Sequence, residues 1–187
     1  MEVGGRTLFM RIRTYRSGDI PILVHTQHIA AAFDGLAPLS EADFASLLDR
    51  SITRRGYNVF LLTDDDDELN TWGQGESLEG VEGEVVGYTI LQPRQSEHAY
   101  HFRCHGTILP AYRGHGAGHG LILCALNHAR LQSLDFVAQA RQQGTPIYFE
   151  VPLPVNDPGA QRLAWDFELE KTDIRVQEHL LLYHTEL

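Results

Sequence analysis

The residues best suited to chemistry lie in one short stretch, Thr107-Ile-Leu-Pro-Ala-Tyr-Arg-Gly-His-Gly-Ala-Gly-His-Gly-Leu121. A β-branched run passes through Pro110 into four glycines, Gly114, Gly116, Gly118 and Gly120, and then directly into an apolar helical pattern. The first amides of a helix have no internal acceptor, and the macrodipole adds about half a positive charge there. Glycines leave those amides uncovered, so the stretch makes a site for a phosphate or diphosphate. Arg113 adds a permanent positive charge whose fork geometry suits phosphate oxygens. The bland alternative is a tight turn with a surface arginine. Each glycine inside a helix costs about 1 kcal/mol relative to alanine, so alternating glycines at a helix start call for more than a turn. Two phosphate motifs do not fit. The P-loop needs Lys then Ser or Thr after its last glycine, where this chain has His119 and Gly120. The pattern G-x-G-x-x-G fails from Gly114, whose sixth position is His119, and from Gly116, whose sixth is Leu121.

The pattern R/Q-x-x-G-x-G/A does fit, read as Arg113, Gly116 and Gly118. With its flanks, from Ile108 to Gly118, it resembles the strand, turn and helix of the GNAT (Gcn5-related N-acetyltransferase) superfamily. Gly83 to Leu91, with its Val-Gly-Tyr element, resembles the preceding strand. Tyr148 to Phe167, with Asn156, Ala160 and Leu163, resembles the next strand and helix, and the N-terminal strand-helix-helix order matches too. The resemblance implies acetyl-CoA as co-substrate, no metal, and acetyl transfer to a small-molecule or peptide amine by direct attack in a ternary complex. It implies that Arg113, Gly114, His115, Gly116, Ala117, Gly118 and His119 wrap the diphosphate through backbone amides. Thr107, Ile108 and Leu109 then pair edge-on with the pantetheine arm, Asn156 contacts that arm, and an amide near Leu109 serves the thioester oxygen. The chain also departs from the family. The Tyr that many relatives carry four residues after the Ala of the last helix is Ala164 here, Asp166-Phe167 replaces Gly-Phe, and Val151 to Val155 carries extra residues. The acid for the leaving thiolate is therefore absent or supplied elsewhere, with Tyr148 and Tyr183 as candidates. Its absence admits a non-catalytic acyl-CoA-binding or sensing module. Ile108 and the small Ala164 admit a transferase that uses a longer acyl-CoA.

Acyl transfer to an amine needs a group to take the nitrogen's proton, a donor aimed at the thioester oxygen, and close alignment. Alternation along a strand puts His101, Arg103, His105 and Thr107 on one face and Phe102, Cys104 and Gly106 on the other. Histidine titrates near 6.5, which makes His101 and His105 candidate bases; Glu150 on the neighbouring strand is another. The bland readings are half-buried sheet residues and a solvent-facing acid. His115 and His119 have the i, i+4 spacing of a metal pair, but no Glu follows the first and both lie in the phosphate turn. Asp64 to Glu68 lacks the glycine and ligand spacing of a calcium loop and reads as a solvated hairpin tip. Trp72, in the same loop, reads either as a cover over a substrate or as packing on the sheet, with packing favoured.

The elements that position these residues follow from pattern. Strands are expected at Leu8 to Tyr15, Tyr57 to Thr63, Gly83 to Leu91, His98 to Leu109, Thr145 to Val151, Glu170 to Val176 and His179 to Thr185. One helix should run from the cap signal Asp19-Ile-Pro21 to about Phe33, ended by Gly35. A second opens at Ser40 with Asp43 and carries Phe44, Leu47, Leu48 and Ile52 before Gly56. A third runs from Gly116 to at least Leu131, and a short one starts at Asp157-Pro158. Asp135 to Gln143 reads either as a continuation or as a separate segment. The order β-α-α-β-β-β-α-β-α-β-β implies one α/β domain over residues 1–187 with a mixed sheet. The resemblance adds that the sheet is mostly antiparallel, splayed, and covered by helices on both faces.

Composition narrows the function classes. Of 187 residues, 43% are hydrophobic and 21% charged, as in globular proteins. Acids outnumber bases 25 to 15, which argues against a nucleic-acid partner, since phosphate-backbone binding is driven by Lys and Arg. No apolar run approaches the roughly 20 residues of a membrane span, and the N-terminus has no apolar signal core. Cys104 and Cys124 sit among apolar neighbours and read as reduced, so the expected location is the cytoplasm. Edge strands leave a homodimer open.

Overall fold

The computed structural model describes residues 2–3, 6–7, 9–53, 56–65 and 83–187. Its main sheet has seven strands: β3 (Phe9–Thr14), β6 (Val59–Asp65), β7 (Glu84–Gln95), β8 (Tyr100–Ile108), β9 (Ile147–Pro154), β10 (Glu170–Gln177) and β11 (Leu180–Glu186). Two short ladders stand apart, β1 (Glu2–Val3) with β2 (Arg6–Thr7) and β4 (Ile52–Thr53) with β5 (Gly56–Tyr57). The sheet order is β10-β11-β9-β8-β7-β6-β3. Only β8 and β9 pair in parallel, and the crossover between them is helical, as a parallel connection requires.

Period-2 alternation of apolar residues on the central strands gives the sheet two buried faces. Leu61 packs with Leu23 of α1 (Ile20–Phe33) and with Phe44 and Leu48 of α2 (Glu41–Asp49), whereas its neighbour Leu62 packs with Ala117 and Leu121 of α3 (Ala117–Ser133). The α3 face continues over β8, β9 and β11 through Phe102, Cys104, Phe149, Val151 and Tyr183, and α5 (Pro158–Asp166) adds Ala160 and Ala164. Helices therefore cover both faces, and the expected mixed, mostly antiparallel α/β sheet is found.

Local detail settles one open reading and changes several expectations. Of the two readings of Asp135 to Gln143, the separate segment is the one found. A turn follows Ser133, and α4 (Val137–Gln143) is a separate helix ended by Gly144 in the left-handed region. Asp19 precedes α1 but does not cap it with its side chain. Its carboxylate accepts from Arg13 (2.7 and 2.8 Å) and from the Arg16 amide, because the buried guanidinium is the stronger partner. Ser40 does cap α2, accepting from the Asp43 amide at 3.1 Å. Ile52 leaves the α2 stripe for a short strand. Asp64 and Asp65 extend β6 instead of forming a loop tip, and Asp64 is buried. Asp66, Asp67, Glu68 and Trp72 lie outside the described residues. Both cysteines are free thiols. Among the described residues, no helix is long and apolar enough to cross a membrane.

Candidate functional site

Pairing between β8 and β9 covers only Tyr100↔Ile147 through Arg103↔Glu150 and then stops. On its other side β8 stays paired with β7 as far as Ile108↔Gly87, so His105 to Ile108 keep one free backbone edge. Which groups face that edge follows from the ladder. Leu109 donates its amide to Val86 at 2.8 Å. Antiparallel alternation then turns Thr107 toward β7 and leaves the main chain of Gly106 and Ile108 facing the gap. The Leu109 amide itself is used by Val86, so of the amides near Leu109 that of Ile108 is the one on the gap side. The two strands approach closely here: a Cβ on Gly106 would lie 2.6 Å from the Tyr88 carbonyl, and one on Gly87 would lie 2.9 Å from that of Thr107.

Beyond Leu109 the chain makes a short turn at Pro110–Tyr112 and reaches the glycines. Gly114 and Gly116 have φ of 76° and 80°, a conformation that costs other L-residues energy. The first backbone hydrogen bond of α3 comes from Gly120 to the Gly116 carbonyl, so the amides of Ala117, Gly118 and His119 have no intrahelical acceptor. A Cβ on Gly118 would sit 3.3 Å from Leu163 of α5, and one on Gly120 would make ordinary contact with Ile12. Two glycines thus serve conformation, one serves helix packing, and Gly120 has neither need.

The side chains around this turn look inward. Arg113 donates Nε–H to the Ile108 carbonyl (3.0 Å) and both terminal nitrogens to Asp34 (2.6 and 2.9 Å), while its guanidinium lies over Phe33. Its own amide closes the preceding turn on Pro110. The Arg113 fork is therefore filled by a carboxylate and its amide by a carbonyl. His115 donates to the Arg113 carbonyl at 2.7 Å, and His119 packs on the Phe167 ring. The two histidines turn to different partners, and among the described residues no group of His, Cys, Asp or Glu is arranged to hold a metal. Tyr112 reaches Glu84 (3.2 Å) and Asp64 (3.3 Å); burial and then those carboxylates push its phenol up to about 12. An open cleft of about 760 Å³ lies between the end of α1 (Ile29, Ala32, Phe33) and Leu109, Pro110 and Tyr112. Asn156 is exposed in the turn after β9.

A polar cluster forms where β8 and β9 part. Glu150, only 4% exposed, accepts from His101 Nδ1 (2.8 Å) and Arg103 Nε (2.9 Å). His101 Nε2 lies 3.2 Å from the Ser96 hydroxyl, so both its nitrogens are engaged. His105, next along the same face, has its Nε2 buried with no hydrogen-bond partner among the described residues. Burial first, then the charges of Arg103 and Arg94, push its pKa down to about 4, leaving a neutral imidazole at neutral pH. The expected grouping of His101, Arg103 and His105 with Glu150 is present, but Glu150 is buried rather than solvent-facing. Ser96 escaped sequence reasoning because its role depends on hairpin register. So did Gln27 on α1, whose buried Oε1 also lacks a partner among the described residues; its spacing within the apolar stripe between Leu23 and Ala30 was the available signal.

The candidate acids are packed aromatics. Tyr183 is buried on the α3 face, and Tyr148 stacks on His184 with ring centres 4.7 Å apart. Ala164 is buried in the same core cluster.

No protein-family model matches the sequence, and no curated protein does. Solved structures match over nearly the whole chain. The Escherichia coli ribosomal-protein-S18-alanine N-acetyltransferase is 16% identical, with a TM-score of 0.55 over 95% of this chain and 94% of its own. Arabidopsis thaliana Naa50, solved with the bisubstrate analogue CoA-Ac-MVNAL, is 14% identical, with a TM-score of 0.60 over 95% and 99%. YncA from Salmonella typhimurium, solved with acetyl-CoA, is 16% identical, with a TM-score of 0.55 over 95% and 92%. At such low identity the likeness is one of architecture, and the parted strands followed by a glycine turn and helix complete it: this chain has the fold of the GNAT N-acetyltransferases.

Proposed function

We propose that this protein transfers an acetyl group from acetyl-CoA to an amine acceptor, either a small molecule or a peptide. The observation that carries the reading is the end of β8–β9 pairing at Arg103 and Glu150, which leaves a strand edge leading into a turn of bare amides. The edge at Gly106 and the Ile108 amide, with the Ile108 carbonyl held by Arg113 Nε–H, suits an extended arm that pairs with main chain, and in this reading Asn156, in the turn after β9, approaches that arm. The amides of Ala117, Gly118 and His119 suit the diphosphate at the arm's far end. When bound, acetyl-CoA supplies an acyl group activated by its thiolate leaving group. One outward-facing amide of this edge, at Gly106 or Ile108, serves the thioester oxygen, where a donor contributes most as charge develops.

His105 is the base in this reading. Its neutral Nε2, buried and unpartnered, takes the proton that the nitrogen sheds as it bonds to carbon. That proton is far more acidic than the proton of a free ammonium, so a weakly basic imidazole suffices. Glu150 already accepts at both oxygens, and His101 is held at both nitrogens, so they fix Arg103 beside the base. A peptide acceptor is supported by Naa50, whose solved analogue joins CoA to a peptide.

The burial of Ala164 in place of an acid favours a second reading, a non-catalytic acyl-CoA-binding or sensing module. Calorimetry with acetyl-CoA and thiol release across a panel of amines and peptides decide between them. The transferase reading expects release with at least one acceptor, and a loss of about a hundredfold in His105→Ala with CoA affinity retained. Binding without release from any acceptor leaves the sensor. No binding removes both.

A further inference from the structure

Arg113 belongs to the motif that points to CoA, yet its fork is occupied by a residue far away in sequence. Asp34, at the C-cap of α1, meets the two terminal nitrogens at 2.6 and 2.9 Å, while Nε–H stays on the Ile108 carbonyl. Side-chain exposure is 37% for Arg113 and 35% for Asp34, so water and ions reach the pair. A carboxylate and a phosphate present the same paired oxygens to a guanidinium. The neighbouring amides of Ala117 to His119 favour anions as well.

We propose that Asp34 competes with the diphosphate of CoA for the Arg113 fork and thereby sets the affinity of the cofactor site. Asp34 acts through Arg113 and is a positioning residue. The inference rests on the reading of this turn as a CoA site. Diphosphate binding exchanges one ion pair for another: the Arg113–Asp34 bonds open, Arg113 turns its terminal N–H groups to phosphate oxygens, and Asp34 is left to water. The exchange also frees the last turn of α1, whose Ile29, Ala32 and Phe33 form one wall of the cleft beside Leu109 and Tyr112.

The test measures the affinity of the full chain and its Asp34→Asn variant for CoA, 3′-dephospho-CoA and pantetheine by calorimetry. Asparagine keeps the size and one acceptor but removes the charge. Because a part-exposed ion pair contributes little, affinity for the two diphosphate compounds should tighten about threefold. Pantetheine, which has no diphosphate, should bind both proteins equally. Asp34→Glu should restore the parent affinity, and Asp34→Asn should have no effect in an Arg113→Ala background. Unchanged or weaker CoA binding in a folded Asp34→Asn protein overturns the proposal and makes Asp34 a brace for the turn. Equal tightening of pantetheine overturns it too, since the effect would then bypass the diphosphate. If CoA binds neither protein, the CoA reading itself fails, an outcome distinct from both.

Discussion

The glycine turn and the polar cluster at the parting strands satisfy opposite needs. The turn offers donors without acceptors, in the amides of Ala117, Gly118 and His119. The other region holds a buried side-chain nitrogen, His105 Nε2, with no partner among the described residues, and a second such orphan, Gln27 Oε1, lies on α1. One is made of main chain within a few consecutive residues. The other is made of side chains brought together from the β7–β8 hairpin, β8 and β9. A backbone site tolerates side-chain change but not a change of dihedral angle, whereas a side-chain site fails when a single partner is removed.

The sharpest way to break that contrast is at Glu150. Removing it in Glu150→Ala leaves Arg103 and His101 without their shared acceptor in a largely buried position. A buried pair stripped of one partner loses several kcal/mol; with Arg103 partly exposed, about 3 kcal/mol is expected, read as a lowered urea midpoint. A loss within 0.5 kcal/mol, about the noise of a surface change, would mean that the cluster is not interdependent.

His105 gives an effect of similar size that depends on pH. Its folded pKa of about 4 lies below its ordinary 6.5, so between those values the unfolded chain binds a proton that the folded chain refuses. The stability contributed is fully present above pH 6.5 and is lost as pH falls toward 4, on the order of 3 kcal/mol in total. Replacing His105 by Leu should flatten the stability profile across that window. An unchanged slope would place the imidazole in contact with water.

These differences explain what could be read from sequence. The turn was legible because its parts are adjacent: Gly114 and Gly116 occupy the left-handed region and α3 begins directly after them. The sheet was legible because strand alternation survives folding, placing His101, Arg103 and His105 on one face. Partners were not legible. That Arg113 meets Asp34, that Asp19 serves Arg13 rather than a cap, and that Ser96 reaches His101 all depend on how elements pack. Asp64 read as a loop acid because an acidic run hides a strand end, and only the β6–β7 register shows it buried.

Smaller substitutions sharpen the contrast within the turn. Ala at Gly116 must adopt φ near 80°, at about 1 kcal/mol or more, and its methyl group sits at the head of the bare amides. CoA affinity is therefore expected to fall about tenfold, each 1.4 kcal/mol being one decade. Gly120→Ala is the control. It lies in regular helix with room for a methyl group beside Ile12 at 3.7 Å, and should stabilise the protein by up to about 1 kcal/mol with affinity unchanged. Equal effects at the two sites would mean that the glycines act as a flexible linker.

The smallest effect lies at Gln27. A buried carbonyl oxygen without a donor costs about 1–3 kcal/mol, while an apolar group of similar size costs nothing of that kind. Gln27→Leu should therefore raise stability by about 1 kcal/mol in urea unfolding. A fall in stability would mean that the oxygen has a donor. A gain accompanied by a higher KM for the amine, at constant CoA affinity, would tie the unmet acceptor to the acceptor substrate, because an N–H group that pairs with Gln27 in the complex has nothing to bond in the leucine variant.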